Sequence, residues 1–299
     1  MDHPAVFVTG ATGIVGSAVV EQLLAHGHPV VAAIRSESDA ARLPTGAIAR
    51  PFEFGGSDAD LDAALDGCDR LFLMRPPAIE DVSTYLFPLI DAANRRGIRQ
   101  IVFLSLQGVQ GNRRTPHFAV ERHLKTTDAP YTSLRPNFFM QNLSTTYRDD
   151  IRGHDEIYLP AGRALTALID ARDIGRVAAV VFSEPGHLRK AYTLSGEQTL
   201  GYKKVARILS DVIGRSIRYA RPTEKEYLAR LAEQGRPADY IDVQKMIYRV
   251  VRFNISAIPN RTVRKLTGTP ATSFRQFALD HRTVWERQDL ERETSAQDA

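Results

Sequence analysis

Short apolar runs separated by helical stripes set the rhythm of the first two thirds of the chain. Ala5-Val6-Phe7-Val8 is short, wholly apolar and followed by a glycine turn, the signature of a strand buried on both faces. Behind it Val15, Val19, Val20, Leu23 and Leu24 recur at helical spacing until Gly27 stops the pattern, predicting a helix over residues 14–26. The alternation then repeats. Strands are predicted over 30–34, 47–54, 71–74, 101–104 and 131–134, with helical patterns at 61–65, 86–95 and 117–125. Pro76-Pro77 break off the fourth strand. Asp170 to Phe182 reads as a strand end feeding a helix, with Asp173 placed to cap it, and 191–194 as a seventh strand.

Such alternation predicts the α/β class: a Rossmann doubly wound parallel sheet with a smaller, mainly helical C-terminal substrate subdomain. Residues 1–136 are expected to form the dinucleotide-binding core, completed by about 166–195. Residues 137–165 and 196–285 are expected to form the substrate-cleft subdomain over the carboxyl ends of the strands, and 286–299 a polar tail.

Composition narrows the field. A content of 43% hydrophobic and 25% charged residues is that of an ordinary globular protein and excludes a disordered chain. The 39 basic residues against 35 acidic ones are too balanced and too scattered for a nucleic-acid track. Short pairs such as Arg113-Arg114 and Lys203-Lys204 read as solvated surface. Cys68 is the only cysteine, so no intramolecular disulfide forms and a reducing compartment fits. The first apolar run is too short for a secretion signal, and no run approaches the ~20 residues that span a bilayer. A cytoplasmic protein without membrane attachment, monomeric or homodimeric, is expected.

The chemistry starts at Gly10-Ala11-Thr12-Gly13-Ile14-Val15-Gly16, directly after the first strand and at the mouth of the first helix. In that setting the first glycine permits a tight turn, the second lets backbone approach a pyrophosphate, and the third packs helix on strand. The pyrophosphate then meets free N–H groups at the positive end of a helix. The second strand ends Ala33-Ile34-Arg35-Ser36. An arginine there accommodates a ribose 2′-phosphate, and Ser36 adds a hydroxyl, whereas an acidic residue would select a 2′-hydroxyl. NADP(H) is therefore the preferred cofactor. Glu37 dissents and keeps NAD(H) open.

Other chemistries drop out. None of the ten tyrosines has a lysine four residues on, so the Tyr-x-x-x-Lys dyad of an ordinary short-chain dehydrogenase is missing. The sequence has no Walker loop, zinc-protease helix or Gly-x-Ser-x-Gly elbow, and its histidines lack ligand spacing, so no metal site is expected.

Several runs together resemble the NmrA-like atypical short-chain dehydrogenases. They are Thr9–Gly16, Phe72-Leu73-Met74-Arg75-Pro76-Pro77, Phe103-Leu104-Ser105, His117-x-x-x-Glu121-x-x-Leu124, and Tyr131 to Asn142 with its Leu-Arg-Pro-x-x-Phe-Met-Gln-Asn core. Ile169–Ile174 and Ala191–Gly196 extend the likeness over nearly the whole chain. Members of that family include NADPH-dependent quinone and dye reductases and NADP-binding regulators. The resemblance implies that Met74, Arg75 and Pro76 line the cofactor, with Ser105 and Gln107 near the nicotinamide ribose. It puts Asn137, Phe138 and Phe139 beside the nicotinamide and the acceptor.

The expected cofactor set is thus Gly10, Thr12, Gly13, Ile14, Val15, Gly16, Arg35, Ser36, Phe54, Met74, Arg75, Pro76, Gln107, Asn137 and Phe138. Phe139 and Asn142 are the substrate candidates, and His117 and Ser105 the catalytic ones. The family commonly has lysine where this chain has His117, and Arg113 stands where a dehydrogenase tyrosine would be. These departures argue against simple ketones. The expectation is hydride transfer from NADPH to a quinone, dye or other conjugated organic acceptor. The alternative is an NADP(H)-binding redox-sensing regulator with little catalysis.

Overall fold

A computed structural model describes residues 5–287 of the chain. Of the expected polar tail, only Glu286 and Arg287 fall within the described residues; the remainder lies outside them. The chain divides into two units. One runs to Phe139 and takes in Ile169–Glu197 and Asn260–Ala271; the other comprises Met140–Leu168, Gln198–Pro259 and the chain from Thr272 on.

The first unit holds a seven-stranded sheet of β1 (Ala5–Val8), β2 (Val30–Ile34), β3 (Ile48–Pro51), β4 (Cys68–Met74), β5 (Gln100–Leu104), β6 (Tyr131–Pro136) and β7 (Lys190–Leu194). Its spatial order is β3-β2-β1-β4-β5-β6-β7, and every pair is parallel. The chain thus builds outward in one direction from β1, then returns and builds in the other from β4. Neighbouring connections diverge at the β1–β4 switch point and leave a crevice beyond the carboxyl ends of those strands.

Alternate side chains explain why the strands read as unbroken apolar runs. Val6, Val8, Val30, Ala32, Phe72 and Val102 join one buried cluster, under α1 (Ile14–Ala25) and the helix Ala171–Ser183. Ala5, Phe7, Val31, Leu71, Leu73 and Phe103 join a second on the opposite face, closed by α2 (Asp58–Ala64), α3 (Phe87–Arg95) and α4 (Pro116–Thr126). With α5 assigned to Ala171–Ser183, both faces of the sheet are covered, so neither alternates with polar residues.

Three details depart from the sequence pattern. β3 ends at Pro51, because a proline cannot donate into a ladder and is tolerated only on such an edge strand; Phe52 and Phe54 follow in the loop. β4 begins three residues early, since Cys68 and Arg70 pair with Ala5 and Val6 despite their polarity. The cap of α5 is Asp170, whose carboxylate accepts the Arg172 backbone N–H at 2.9 Å. Asp173, expected in that role, sits inside the first turn and pairs with Arg176 at 2.6 Å.

The second unit is mainly helical, with helices Tyr202–Ile213, Glu224–Glu233, Ala238–Arg252 and Phe274–Asp280. Trp285 is fully buried there and donates its indole N–H to the Leu143 carbonyl at 2.8 Å. Residues 260–271, which the sequence pattern assigns to this part, instead cluster with the first unit. Arg264 pairs with Glu197 at 2.7 Å and Arg176 donates to the Pro270 carbonyl at 2.9 Å.

Gly175 lets α5 cross α1 closely: a Cβ on it would overlap the Ala18 carbonyl. Gly175→Ala should destabilise the protein by about 1–3 kcal/mol, since backbone cannot yield as a side-chain tip does. Thermal unfolding followed by circular dichroism checks this, and an unchanged midpoint would mean the two helices part at no cost.

Candidate cofactor and active site

The glycine loop is shaped by backbone that no side chain can enter. Gly10 has φ of +62°, and a Cβ there would overlap the Met74 methyl. A Cβ on Gly16 would collide with the Gly10 carbonyl, and one on Gly13 would meet the same oxygen at 3.3 Å. Thr9 anchors the loop to the neighbouring strand, accepting the Met74 N–H at 2.8 Å while its hydroxyl donates to the Phe72 carbonyl at 3.2 Å. Behind the loop, α1 starts at Gly13 with no side-chain cap and no acidic residue in its first turn. Val15 is buried beneath, while Ile14 stays exposed. An uncapped positive helix end facing a sterically bare loop suits a pyrophosphate, so these residues fit a dinucleotide.

The other expected cofactor residues fall along the same carboxyl edge. Arg35 is exposed at the end of β2, and among the described residues its guanidinium has no ion-pair partner. Its backbone N–H donates to Asp39 at 3.3 Å, and the Ser36 hydroxyl lies 2.9 Å from that of Ser38. The sequence offered no sign of Arg42. It reaches back to pair with Asp39 at 3.3 Å and to donate to the Thr12 carbonyl at 3.0 Å, bringing a second guanidinium against the glycine loop. Only the turn after β2 makes that approach possible. Phe54 packs edge-on against Phe52, ring centroids 4.9 Å apart. Met74 is half-buried and packs against the apolar cluster under α1.

Arg75 folds onto its own loop. One guanidinium nitrogen donates to the Pro76 and Pro77 carbonyls, both at 3.1 Å, and to that of Ile79 at 2.5 Å, while its buried Nε has no hydrogen-bond partner. Burial holds its pKa below the ordinary value. The charge acts on His117, in the first turn of α4, whose ring lies 6.0 Å from that of Phe103. Burial first, and then the Arg75 charge, outweigh the pull of Glu121 and push the imidazole pKa down to about 4. At neutral pH His117 is uncharged, with about one molecule in a thousand protonated. It can hold a hydrogen bond but is a poor source of protons.

Ser105, Gln107 and Asn137 continue the ladder past the strand ends. Their N–H groups donate to the carbonyls of Leu134 at 2.8 Å, Pro136 at 3.0 Å and Leu194 at 2.8 Å, respectively. The Ser105 hydroxyl donates to Glu121 at 2.7 Å, and Glu121 takes two charged hydrogen bonds from Arg135, at 2.9 and 2.5 Å. All three are largely buried. Burial alone would raise the Glu121 pKa, but the bonds from Arg135 and Ser105 win and hold it below the ordinary carboxylate value. Glu121 and Arg135 carried no assigned role in the sequence. Their clue was an acidic residue one turn from His117 and a basic residue near the end of the otherwise uncharged β6.

Asn137 also accepts the Phe138 N–H on its side-chain oxygen at 2.7 Å, and Phe138 accepts the Ile169 N–H at 2.9 Å. Phe139 packs on the cluster under α1. Asn142 belongs to the second unit, half-buried in the short turn Met140–Leu143. The first unit holds every expected cofactor residue and both catalytic candidates, whereas Asn142 belongs to the second.

A parallel sheet with a bare glycine loop at its switch point defines a dinucleotide-binding protein of Rossmann type. The chain belongs to the NmrA-like family, whose model matches residues 2–269. It is 32% identical over 289 residues to an NAD(P)H azoreductase of Xenophilus azovorans, covering 92% of this chain and 97% of that one. The crystal structure of an NADPH-dependent quinone oxidoreductase of Escherichia coli complexed with NADPH superposes with a TM-score of 0.82 at 26% identity, covering 92% of this chain and 99% of the other. A triphenylmethane reductase of Citrobacter sp. complexed with NADP(H) shares the fold, with a TM-score of 0.81 at 22% identity over 93% of this chain and 99% of that one. No helix among the described residues is long and apolar enough to cross a membrane.

The electrostatics imply an acid-side instability. A histidine titrating near 4 when folded but near 6.5 when unfolded binds fewer protons in the native state, so stability falls as pH drops through that window. Glu121, lowered in the fold, adds a further loss below its unfolded pKa of 4.5. His117 ring resonances should stay in the neutral position down to pH 5, and Arg75→Gln should move their midpoint upward. A wild-type midpoint near 6.5 by NMR would contradict the burial and charge described here. Glu121→Gln, which leaves Arg135 without its anion, should cost about 1–3 kcal/mol in denaturant unfolding.

Proposed function

We propose that this protein is an NADPH-dependent reductase passing a hydride to a flat, conjugated organic acceptor such as a quinone or a dye. The observation that carries the reading is the bare glycine loop in front of an uncapped helix end, with two arginines beside it. The azoreductase and the quinone oxidoreductase to which the chain is similar support the same chemistry.

NADPH supplies the hydride; the protein supplies position and electrostatics. The N–H groups of the first turn of α1 hold the pyrophosphate. Arg35, aided by Ser36 and Arg42, takes the 2′-phosphate in charge-assisted hydrogen bonds. Phe54, Met74, Arg75 and Pro76 line the cofactor, Gln107 and His117 hold the nicotinamide ribose, and Asn137 and Phe138 position the nicotinamide. Ser105, held by Glu121, stays in one rotamer as a polar marker at the end of β5. Phe139 contacts the acceptor.

The choice of acceptor follows from the protons. Reducing a simple ketone makes a strongly basic alkoxide that needs an acid at hand. Here the histidine is neutral and the serine hydroxyl already donates to Glu121. A quinone that accepts hydride becomes a delocalised hydroquinone monoanion, which takes its proton from water, and a cationic dye becomes a neutral leuco form that needs none. We place the protein in the cytoplasm, as a monomer or homodimer with no nucleic-acid partner.

NADPH binding by fluorescence and NADPH oxidation with a panel of quinones and azo dyes test this. Arg35→Glu should weaken NADPH about 10- to 100-fold while leaving NADH nearly unchanged, the range expected for losing charged hydrogen bonds. Tight NADPH binding with no turnover on any acceptor would reject the reductase and favour a redox-sensing regulator. In that case NADP+ and NADPH should differ in affinity, because only differential binding shifts an equilibrium.

A further inference from the structure

Several cationic side chains of the second unit are neutralised by a carboxylate. In the second unit Arg215 pairs with Asp155 at 2.6 Å, Arg230 with Glu156 at 3.2 Å, and Arg249 with Glu224 at 3.1 Å. One concave region of the same unit gathers cations without carboxylates. A basin of about 800 Å³ is bordered by five arginine and lysine side chains and by no acidic one. Of the five, Arg218 pairs with Glu156 at 2.6 Å. Among the described residues, Arg163, Lys203, Arg207 and Arg221 have no ion-pair partner.

Gathering unpaired like charges around a concave surface is unfavourable, and it concentrates counter-ions of the opposite sign. The helix Tyr202–Ile213 sharpens the imbalance. It starts at the basin on Gly201, without a side-chain cap or an acidic residue, and carries Lys203 and Lys204 in its first turn. Lysines at the positive end of a helix oppose its dipole, and an anion there relieves both.

Apart from Ser210, whose hydroxyl donates to the Ala206 carbonyl at 2.9 Å, the rest of the wall is apolar or aromatic. Tyr219 stands 5.7 Å from Tyr202, ring centroid to centroid, and its hydroxyl donates to the Leu159 carbonyl at 3.1 Å. That leaves the half-buried Tyr219 ring, with the buried Tyr202, Ala164, Ala206 and Ile217, as the surface between the cations. An inorganic anion would leave this floor bare, and a neutral aromatic would leave the charges uncompensated. The volume is that of a site for a drug-sized molecule.

The geometry points to a second ligand site, contained in the second unit, for a small aromatic molecule bearing two or more phosphate, sulfonate or carboxylate groups. Lys203, read from the sequence as solvated surface, becomes part of a site because the fold brings it beside Arg163 and Arg221. The site stands on the second unit alone, whatever the glycine loop binds.

The test uses the full chain with saturating NADP+, so that the glycine loop is filled. Calorimetric titration compares naphthalene-1,5-disulfonate with neutral 1,5-dihydroxynaphthalene and with inorganic pyrophosphate. The disulfonate should bind one to one, at least tenfold more tightly than either control, and more weakly as salt is raised. Lys203→Glu/Arg207→Glu should weaken it at least tenfold. Both residues are exposed, so the unfolding midpoint and NADPH affinity should hold. Equal binding of the neutral diol, or an unaltered affinity in the double variant, would overturn the site. Pyrophosphate binding as tightly as the disulfonate would overturn its aromatic half. Binding only to phosphatidylglycerol vesicles would make the basin a membrane contact and reject the small ligand.

Discussion

The seating of α1 against the end of β1 is the contact on which the rest of the first unit depends. Gly16 lies so close to the Gly10 carbonyl that no methyl group fits between them, and Thr9 ties the same turn to β4 through the Phe72 carbonyl and the Met74 N–H. On the far side of the helix, Gly175 brings α5 against the backbone of Ala18. α1 is thereby pinned between sheet and helix at two points of backbone contact. A helix so fixed aims its unpaired N–H groups at one spot, and the switch point leaves that spot open.

Buried charge organises the neighbouring strand ends. Glu121 and Arg135 are costly to bury singly and tolerable as a bidentate pair. Once formed, the pair recruits the Ser105 hydroxyl and fixes its direction. Arg75, satisfied mostly by carbonyls of its own loop, leaves its charge to act on His117. The result is an edge rich in polar groups but poor in mobile protons. Chemistry that leaves a delocalised product suits such an edge, and chemistry that demands an acid does not.

The second unit shows the opposite arrangement, with positive charge left uncompensated over an apolar floor. A net charge of +4 over 299 residues gives no hint of it, because a total does not say where the charges gather. Local excess, not the total, decides where an anion settles.

The sequence by itself determined the seven-strand rhythm, the doubly wound parallel sheet and the glycine loop. Those depend on local rules: strands buried on both faces must be continuously apolar, helices repeat their stripe, and only glycine tolerates the turn at Gly10. Arg35 was legible for the same reason, being a fixed number of residues past the loop at a strand end. Tertiary structure alone decided what depends on distant partners. It capped α5 with Asp170 and turned Asp173 toward Arg176. It moved residues 260–271 to the first unit, folded Arg42 onto Thr12, and engaged Ser105 with Glu121. It also lowered the pKa of His117 through burial and the guanidinium of Arg75, which is distant along the chain. Periodicity records which face of an element is buried, but not which charge from another element will face it, and electrostatics acts through that second fact.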